Sequence, residues 1–209
     1  MPGSKTAIIG PSGAGKSTLL SAISGFHGPD RGDVIWNGTS MMNAASEARP
    51  LSVIFQDGNL FPHLSIGQNV GLGIRPNLRL TQAEKDRCEA ALTSVGLSDM
   101  SDRMPGALSG GQQSRAALAR VLLQAQPLLI LDEPFAALGP ALRKEMLDLV
   151  ADVVARLGAT MLMVTHDPDD ARYIADQVIF VADGVASAPV PTDAIFANPP
   201  KALADYLGK

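Results

Sequence analysis

Apolar residues follow two patterns along this chain. In the first, short runs are apolar almost throughout: Lys5–Ile9 (KTAII), Leu51–Gln56 (LSVIFQ), Leu128–Leu131 (LLIL), Thr160–Thr165 (TMLMVT) and Gln177–Val181 (QVIFV). Runs this short and continuous suit strands covered on both faces. In the second, apolar residues recur every three or four positions, as on one face of a helix. Lys16–Gly25 reads as a helix directly after the first run. From Ser65 to Gln126 the whole texture is helical. Thr81-Gln82-Ala83-Glu84 is a capping box there, and Cys88, Ala91, Leu92 and Val95 then fall at i, i+3, i+4 and i+7. Ala141–Leu157 places Leu142, Met146, Leu149, Val153 and Leu157 on one stripe, and Gly158 ends it. Asp33–Asn37 (DVIWN) alternates instead and stops at Asn37-Gly38, a hairpin-type turn.

Strands separated by helices need crossover connections, which predicts an α/β fold with a mostly parallel sheet. The block between Gln56 and Leu128 breaks that alternation and reads as an inserted α-helical subdomain. The tail from Pro189 is short and punctuated by prolines, so no second C-terminal domain is expected. Composition narrows the picture. The chain has 209 residues, 46% of them hydrophobic, enough for one domain with a packed core. Net charge is −4 with no basic block, which argues against nucleic acid as a partner. Cys88 is the only cysteine, so there is no intrachain disulfide and no cysteine-based metal cluster. Its place on a helical stripe makes it a small core residue, and a reducing setting fits. No apolar run approaches the roughly 18 residues of a membrane span, and no signal-peptide pattern is read.

The chemistry sits at the ends of the apolar runs. Gly10-Pro11-Ser12-Gly13-Ala14-Gly15-Lys16-Ser17-Thr18 leaves the first strand and opens the first helix. It matches G-x-x-x-x-G-K-[ST]: backbone N–H groups converge on phosphate oxygens, Lys16 adds a point charge, and the Ser17 hydroxyl can ligate Mg²⁺. Leu128–Leu131 delivers two carboxylates, Asp132 and Glu133, to the sheet edge where ligands of open α/β sheets bind. Asp132 suits Mg²⁺ and Glu133 suits polarising an attacking water. Leu108-Ser109-Gly110-Gly111-Gln112 is a second glycine-rich loop before a helix. Its residues alone fit an ordinary N-capped helix better than a second phosphate site. Gln56 either reaches a metal or water or simply ends a strand, and His166 alone reads as structural more readily than catalytic.

Taken in order, GPSGAGKST, Gln56, LSGGQ, LLILDEP and His166 resemble the Walker A, Q-loop, signature, Walker B and H-loop motifs of the ATP-binding subunits of ABC transporters. The resemblance covers essentially the whole chain. It implies a single domain, 1–209, with a P-loop NTPase (RecA-like) core, 1–56 and 127–209, and a helical signature subdomain, 57–126. It implies ATP and Mg²⁺ as ligands, with Ser17, Gln56 and Asp132 at the metal. Glu133 would be the general base, His166 the γ-phosphate contact and Gln56 the sensor. Two copies would form a head-to-tail dimer, each ATP lying between Gly10–Thr18 of one and Ser109, Gly110, Gly111 and Gln112 of the other. Transmembrane permease subunits would dock near Asp57–Leu64, and a periplasmic substrate-binding protein would act indirectly. The site of action would be the cytoplasmic face of the bacterial inner membrane. Phe55–Thr81 is similar to the ATPases of bacterial thiamine importers, notably in QNVGLG and PNLRL. Importers of polyamines, ferric iron, sulfate or molybdate share most of these motifs, and a nucleotide-binding module with weak hydrolysis is the other alternative.

Two departures from the family pattern stand out. Ala136-Ala137-Leu138-Gly139 has glycine where the family's D-loop carries aspartate, which predicts weaker coupling between the two ATP sites. The family also places an antiparallel hairpin before Walker A, with an aromatic that stacks on adenine. Met1–Thr6 holds no such residue, and Trp36 follows Walker A. Phosphate recognition is therefore expected to outlast base recognition, with ATP and GTP distinguished less sharply than in relatives that carry the hairpin.

Overall fold

The computed structural model describes residues 3–56 and 58–208; Met1, Pro2, Asp57 and Lys209 lie outside, and with Asp57 goes one end of the predicted docking segment. Five strands form the parallel part of the sheet: β1 (Lys5–Ile9), β4 (Leu51–Ile54), β5 (Leu128–Asp132), β6 (Thr160–Val164) and β7 (Gln177–Ala182). Their spatial order is β4-β5-β6-β1-β7. Two short strands, β8 (Val185–Ala186) and β9 (Val190–Pro191), pair antiparallel with β7. The five apolar runs are thus the five parallel strands, as their continuity predicts.

Alternation along each strand feeds two faces. On one, Ile8, Leu128, Ile130 and Val164 pack with Leu20 of α1 (Lys16–Ser24). Beneath the other, Ala7, Ile9, Val178 and Phe180 pack under α6 (Pro168–Ile174), α7 (Thr192–Ala197) and α8 (Lys201–Tyr206). On that side Leu129, Leu131, Met161 and Met163 join the core of α2 (Ile66–Gly71), α3 (Gln82–Ser94), α4 (Gly110–Gln124) and α5 (Pro140–Leu157). The helical subdomain is α2, α3 and α4 packed on one another. Its capping box forms as expected, Thr81 with Glu84, and Cys88, Ala91, Leu92 and Val95 are all buried. The Thr81 backbone N–H and the Arg75 guanidinium hold the Glu84 carboxyl down at about 2.

Two local expectations change, and the tail adds a detail. In α5 the most buried residues are Met146, Leu147, Val150, Val153 and Val154, while Leu142, Leu149 and Leu157 are half-buried. The helix packs against both α4 and α6, so its apolar face is wider than one stripe. The DVIWN segment pairs only at β2 (Ile35–Trp36) with β3 (Thr39–Ser40), a hairpin outside the main sheet, turned by Asn37 (φ 47°) and Gly38 (φ 79°). The proline-broken tail is structured: Pro191 and Pro200 stand directly before α7 and α8, where a missing N–H costs nothing. Among the described residues no helix is long and apolar enough to cross a membrane.

Candidate functional site

The loop after β1 is shaped by close approaches. At Gly10 a Cβ would stand 2.0 Å from the Val181 carbonyl oxygen, so only glycine lets the chain pass β7. Gly15 holds φ 102° and caps α1 without any side-chain bond, leaving the first-turn N–H groups open to an anion. Ala14 turns inward and packs with Ile8 and Leu20. Lys16 is buried, and its ammonium donates to the carbonyls of Gly10 (2.8 Å) and Pro11 (2.9 Å). The result is one wall of a cavity of about 620 Å³, lined by Gly10, Ser12, Gly13 and Gly15–Thr18. The opposite wall is Glu133, His166 and Tyr206.

Asp132 ends β5 with Oδ1 3.5 Å from the Ser17 hydroxyl. Burial pushes its carboxyl above the usual range; the Ser17 hydroxyl and Lys16 charge oppose this, and Glu133 adds to it. A cation at that point would reverse the cost. Ser17 and Asp132 are hard oxygen donors, and among the described residues no group of three or more His, Cys, Asp or Glu could hold a metal. That donor set fits Mg²⁺, which uses few protein ligands and completes its shell with water and substrate phosphates.

Glu133 occupies the left-handed region at φ 48°, with its N–H donating to Val164 O at 3.0 Å. This turn directs the carboxylate into the cavity, where Oε2 lies 3.4 Å from His166 Nδ1. Strain of this kind costs on the order of 1–3 kcal/mol and persists where its surroundings fix it. The loop carrying His166 is tightly bonded. The Asp167 N–H donates to Thr165 Oγ1 (3.1 Å), the Thr165 hydroxyl to Asp170 (2.9 Å), and Arg143 to Asp167 (2.5 Å) and Leu138 O (3.4 Å). Arg143 thus ties the Ala136–Gly139 loop to the His166 loop. Burial pushes the Asp170 carboxyl up, with the Thr165 and Arg143 contacts opposing.

The remaining candidates lie elsewhere. Gln56 is exposed and shares a second groove, about 890 Å³, with Asp132, Phe55, Leu60 and Phe61. That groove's floor is braced: buried Asn69 donates to the carbonyls of Phe61, Leu64 and Ser65, and Arg120 donates to Asn59 O. Ser109 and Gln112 form a capping box at the start of α4, away from the cavity. An added Cβ on Gly111 would meet Leu142 at 2.7 Å, so this glycine serves packing as well. Trp36 lines a separate apolar cavity with Ile23, Val34 and Leu162. Sequence reasoning missed Tyr206, Arg143, Asn69 and Arg120. No local pattern marks any of the four.

The profile of the family described as ABC transporter matches residues 1–136. The thiamine import ATP-binding protein ThiQ of Ruegeria sp. (strain TM1040) is 58% identical over 202 residues, covering 97% of this chain and 87% of that protein. ThiQ of Cereibacter sphaeroides is 57% identical over 206 residues, covering 99% and 89%. Among solved structures, a dimeric post-hydrolysis state of the ATP-binding cassette MJ0796 bound to ADP and Pi superposes with a TM-score of 0.79 at 29% identity, over 92% of this chain and 87% of that one. The phosphate loop facing a carboxylate and a histidine across one cavity, together with these relatives, shows that this chain belongs to the ABC transporter family, among its ATP-binding proteins.

Proposed function

We infer that this chain is the ATP-hydrolysing subunit of a bacterial thiamine importer. The single observation that carries the catalytic part is the convergence of Gly10–Thr18, Glu133 and His166 on one cavity. The loop N–H groups and Lys16 bind the phosphates. Ser17 and Asp132 would hold Mg²⁺, and Gln56 would join them from the neighbouring groove it shares with Asp132. When bound, Mg²⁺ neutralises phosphate charge and orients the terminal oxygens. Glu133 accepts the proton of the attacking water. His166 contacts the γ-phosphate and keeps the Glu133 carboxylate in place. The names of the curated relatives support thiamine as cargo. Residues 1–56 and 127–209 form the core, and 57–126 the signature subdomain.

Ser109–Gln112 do not line the cavity of their own chain, which supports service to the site of a second copy in a head-to-tail dimer. The braced groove with exposed Phe61 supports permease docking along the 57–64 segment, at the cytoplasmic face of the inner membrane. The test is ATP turnover of the chain assembled with its permease and binding protein. Thiamine should stimulate phosphate release, and Glu133→Gln should lower it about 10²- to 10⁴-fold. Stimulation by spermidine, ferric iron, sulfate or molybdate instead would overturn the cargo. Turnover unchanged in Glu133→Gln would overturn the mechanism.

A further inference from the structure

We propose that Tyr206, on the C-terminal helix α8, is a positioning residue for His166, so that the end of the fold sets the rate of ATP turnover. This rests on the reading of His166 given above. The His166 side chain is 54% exposed, and Glu133 Oε2 lies 3.4 Å from its Nδ1. A ring so exposed owes its direction mainly to its backbone. Before His166, the Thr165 N–H is fixed by Ile8 O at 3.2 Å. After it, the Asp167 N–H is fixed by Thr165 Oγ1 at 3.1 Å. The His166 carbonyl accepts the Tyr206 hydroxyl at 2.7 Å, across 40 positions of sequence. That bond fixes the plane of the peptide between His166 and Asp167.

Tyr206 is itself well held. Its ring lies 6.3 Å, centroid to centroid, from Phe180 on β7, and it packs on the cluster containing buried Leu203 and Ile195. Burial and the nearby Asp167 and Glu133 carboxylates push the phenol's pKa up, so it keeps its proton and remains a donor at ordinary pH. It also lines the cavity beside His166 and Glu133. The structure therefore places a phenol donor on the His166 carbonyl, supplied by a helix remote in sequence from every nucleotide motif.

The test is a double-mutant cycle on the full chain, with ATP hydrolysis followed at steady state and in single turnover. Tyr206→Phe keeps the ring and removes one hydrogen bond. It should lower kcat about 3- to 10-fold, the factor one such bond commands, with KM for ATP within twofold. In the His166→Ala background, Tyr206→Phe should cause no further loss, because the residue it positions is gone. Three outcomes overturn the proposal: unchanged kcat in Tyr206→Phe, an equal loss in both backgrounds, or a rise in KM that accounts for the whole effect. Full turnover in His166→Ala alone is a different failure. It removes the assigned role of His166 and, with it, the route by which Tyr206 acts. A melting temperature of Tyr206→Phe close to wild type shows that the kinetic loss is not loss of fold.

Discussion

The two walls of the nucleotide cavity are built in opposite ways. The phosphate loop is one contiguous stretch, Gly10–Thr18, shaped by its own glycines and the start of α1. The facing wall is assembled from the ends of β5 and β6 and from α8, held by bonds that span the chain. The first presents backbone N–H groups and one charge, which suits binding an anion whatever happens around it. The second presents side chains whose directions depend on packing elsewhere. Damage to the first should cost affinity, and damage to the second should cost turnover.

The sharpest way to break this contrast is to remove one charge from each wall. Lys16→Ala should weaken ATP binding about 10- to 100-fold, as expected for losing charge-assisted hydrogen bonds, with turnover falling as binding falls. Glu133→Gln should lower kcat about 10²- to 10⁴-fold while ATP affinity stays within a few-fold. Equilibrium binding and single-turnover hydrolysis measured on both variants decide the matter. If Glu133→Gln loses affinity as severely as Lys16→Ala, the division of labour is wrong.

The same contrast explains what the sequence made legible. The phosphate loop and the parallel strands are local patterns, so Gly10–Thr18 and the five apolar runs appear directly in it. Apart from the family resemblance, Asp132, Glu133 and His166 were visible as residue types at strand ends, and their meeting required the sheet order β5-β6-β1. Tyr206 was invisible because it bonds to a backbone carbonyl, which every residue supplies, and Arg143 because its carboxylate partner Asp167 lies 24 positions away on another element. The short helices of the tail left no readable pattern for a related reason. Proline breaks a helix from within but is welcome where one begins, and pattern alone does not separate the two cases. Alternation in DVIWN likewise marked a hairpin arm as a longer strand.

A second group of predictions tests how the assembled wall is held. Arg143→Gln removes the tie between the Leu138 carbonyl and Asp167, and leaves partly buried Asp167 and Asp170 without their cation. Breaking such a pair from one side should cost about 2–4 kcal/mol of stability, read by chemical denaturation, and should lower kcat without moving ATP affinity. Asp132 behaves differently because burial raises its pKa in the folded state. Its charged form therefore opposes folding: stability is greatest below the unfolded carboxylate range and declines as pH rises through the folded value. Asp132→Asn should raise the melting temperature at neutral pH by on the order of 1–2 °C, since exposure screens the effect, and the gain should vanish in acid. With MgATP present the order should reverse, because the variant loses a metal ligand.

The smallest effect concerns Gly139, and it needs the most careful control. Its φ of −66° is ordinary, an added Cβ meets nothing within 4 Å, and it caps α5 without a side-chain bond. Backbone freedom is therefore not what glycine supplies here; what is lacking is an acceptor. Gly139→Asp should cap the first turn of α5 and raise stability by a few tenths of a kcal/mol, whatever it does at a dimer interface. Gly139→Asn should cap equally well without the charge. If a D-loop carboxylate couples two ATP sites, only the aspartate variant will strengthen ATP-induced dimerisation and turnover beyond wild type. Equal behaviour of the two variants would reduce the effect to helix capping and remove the coupling role assigned to this position.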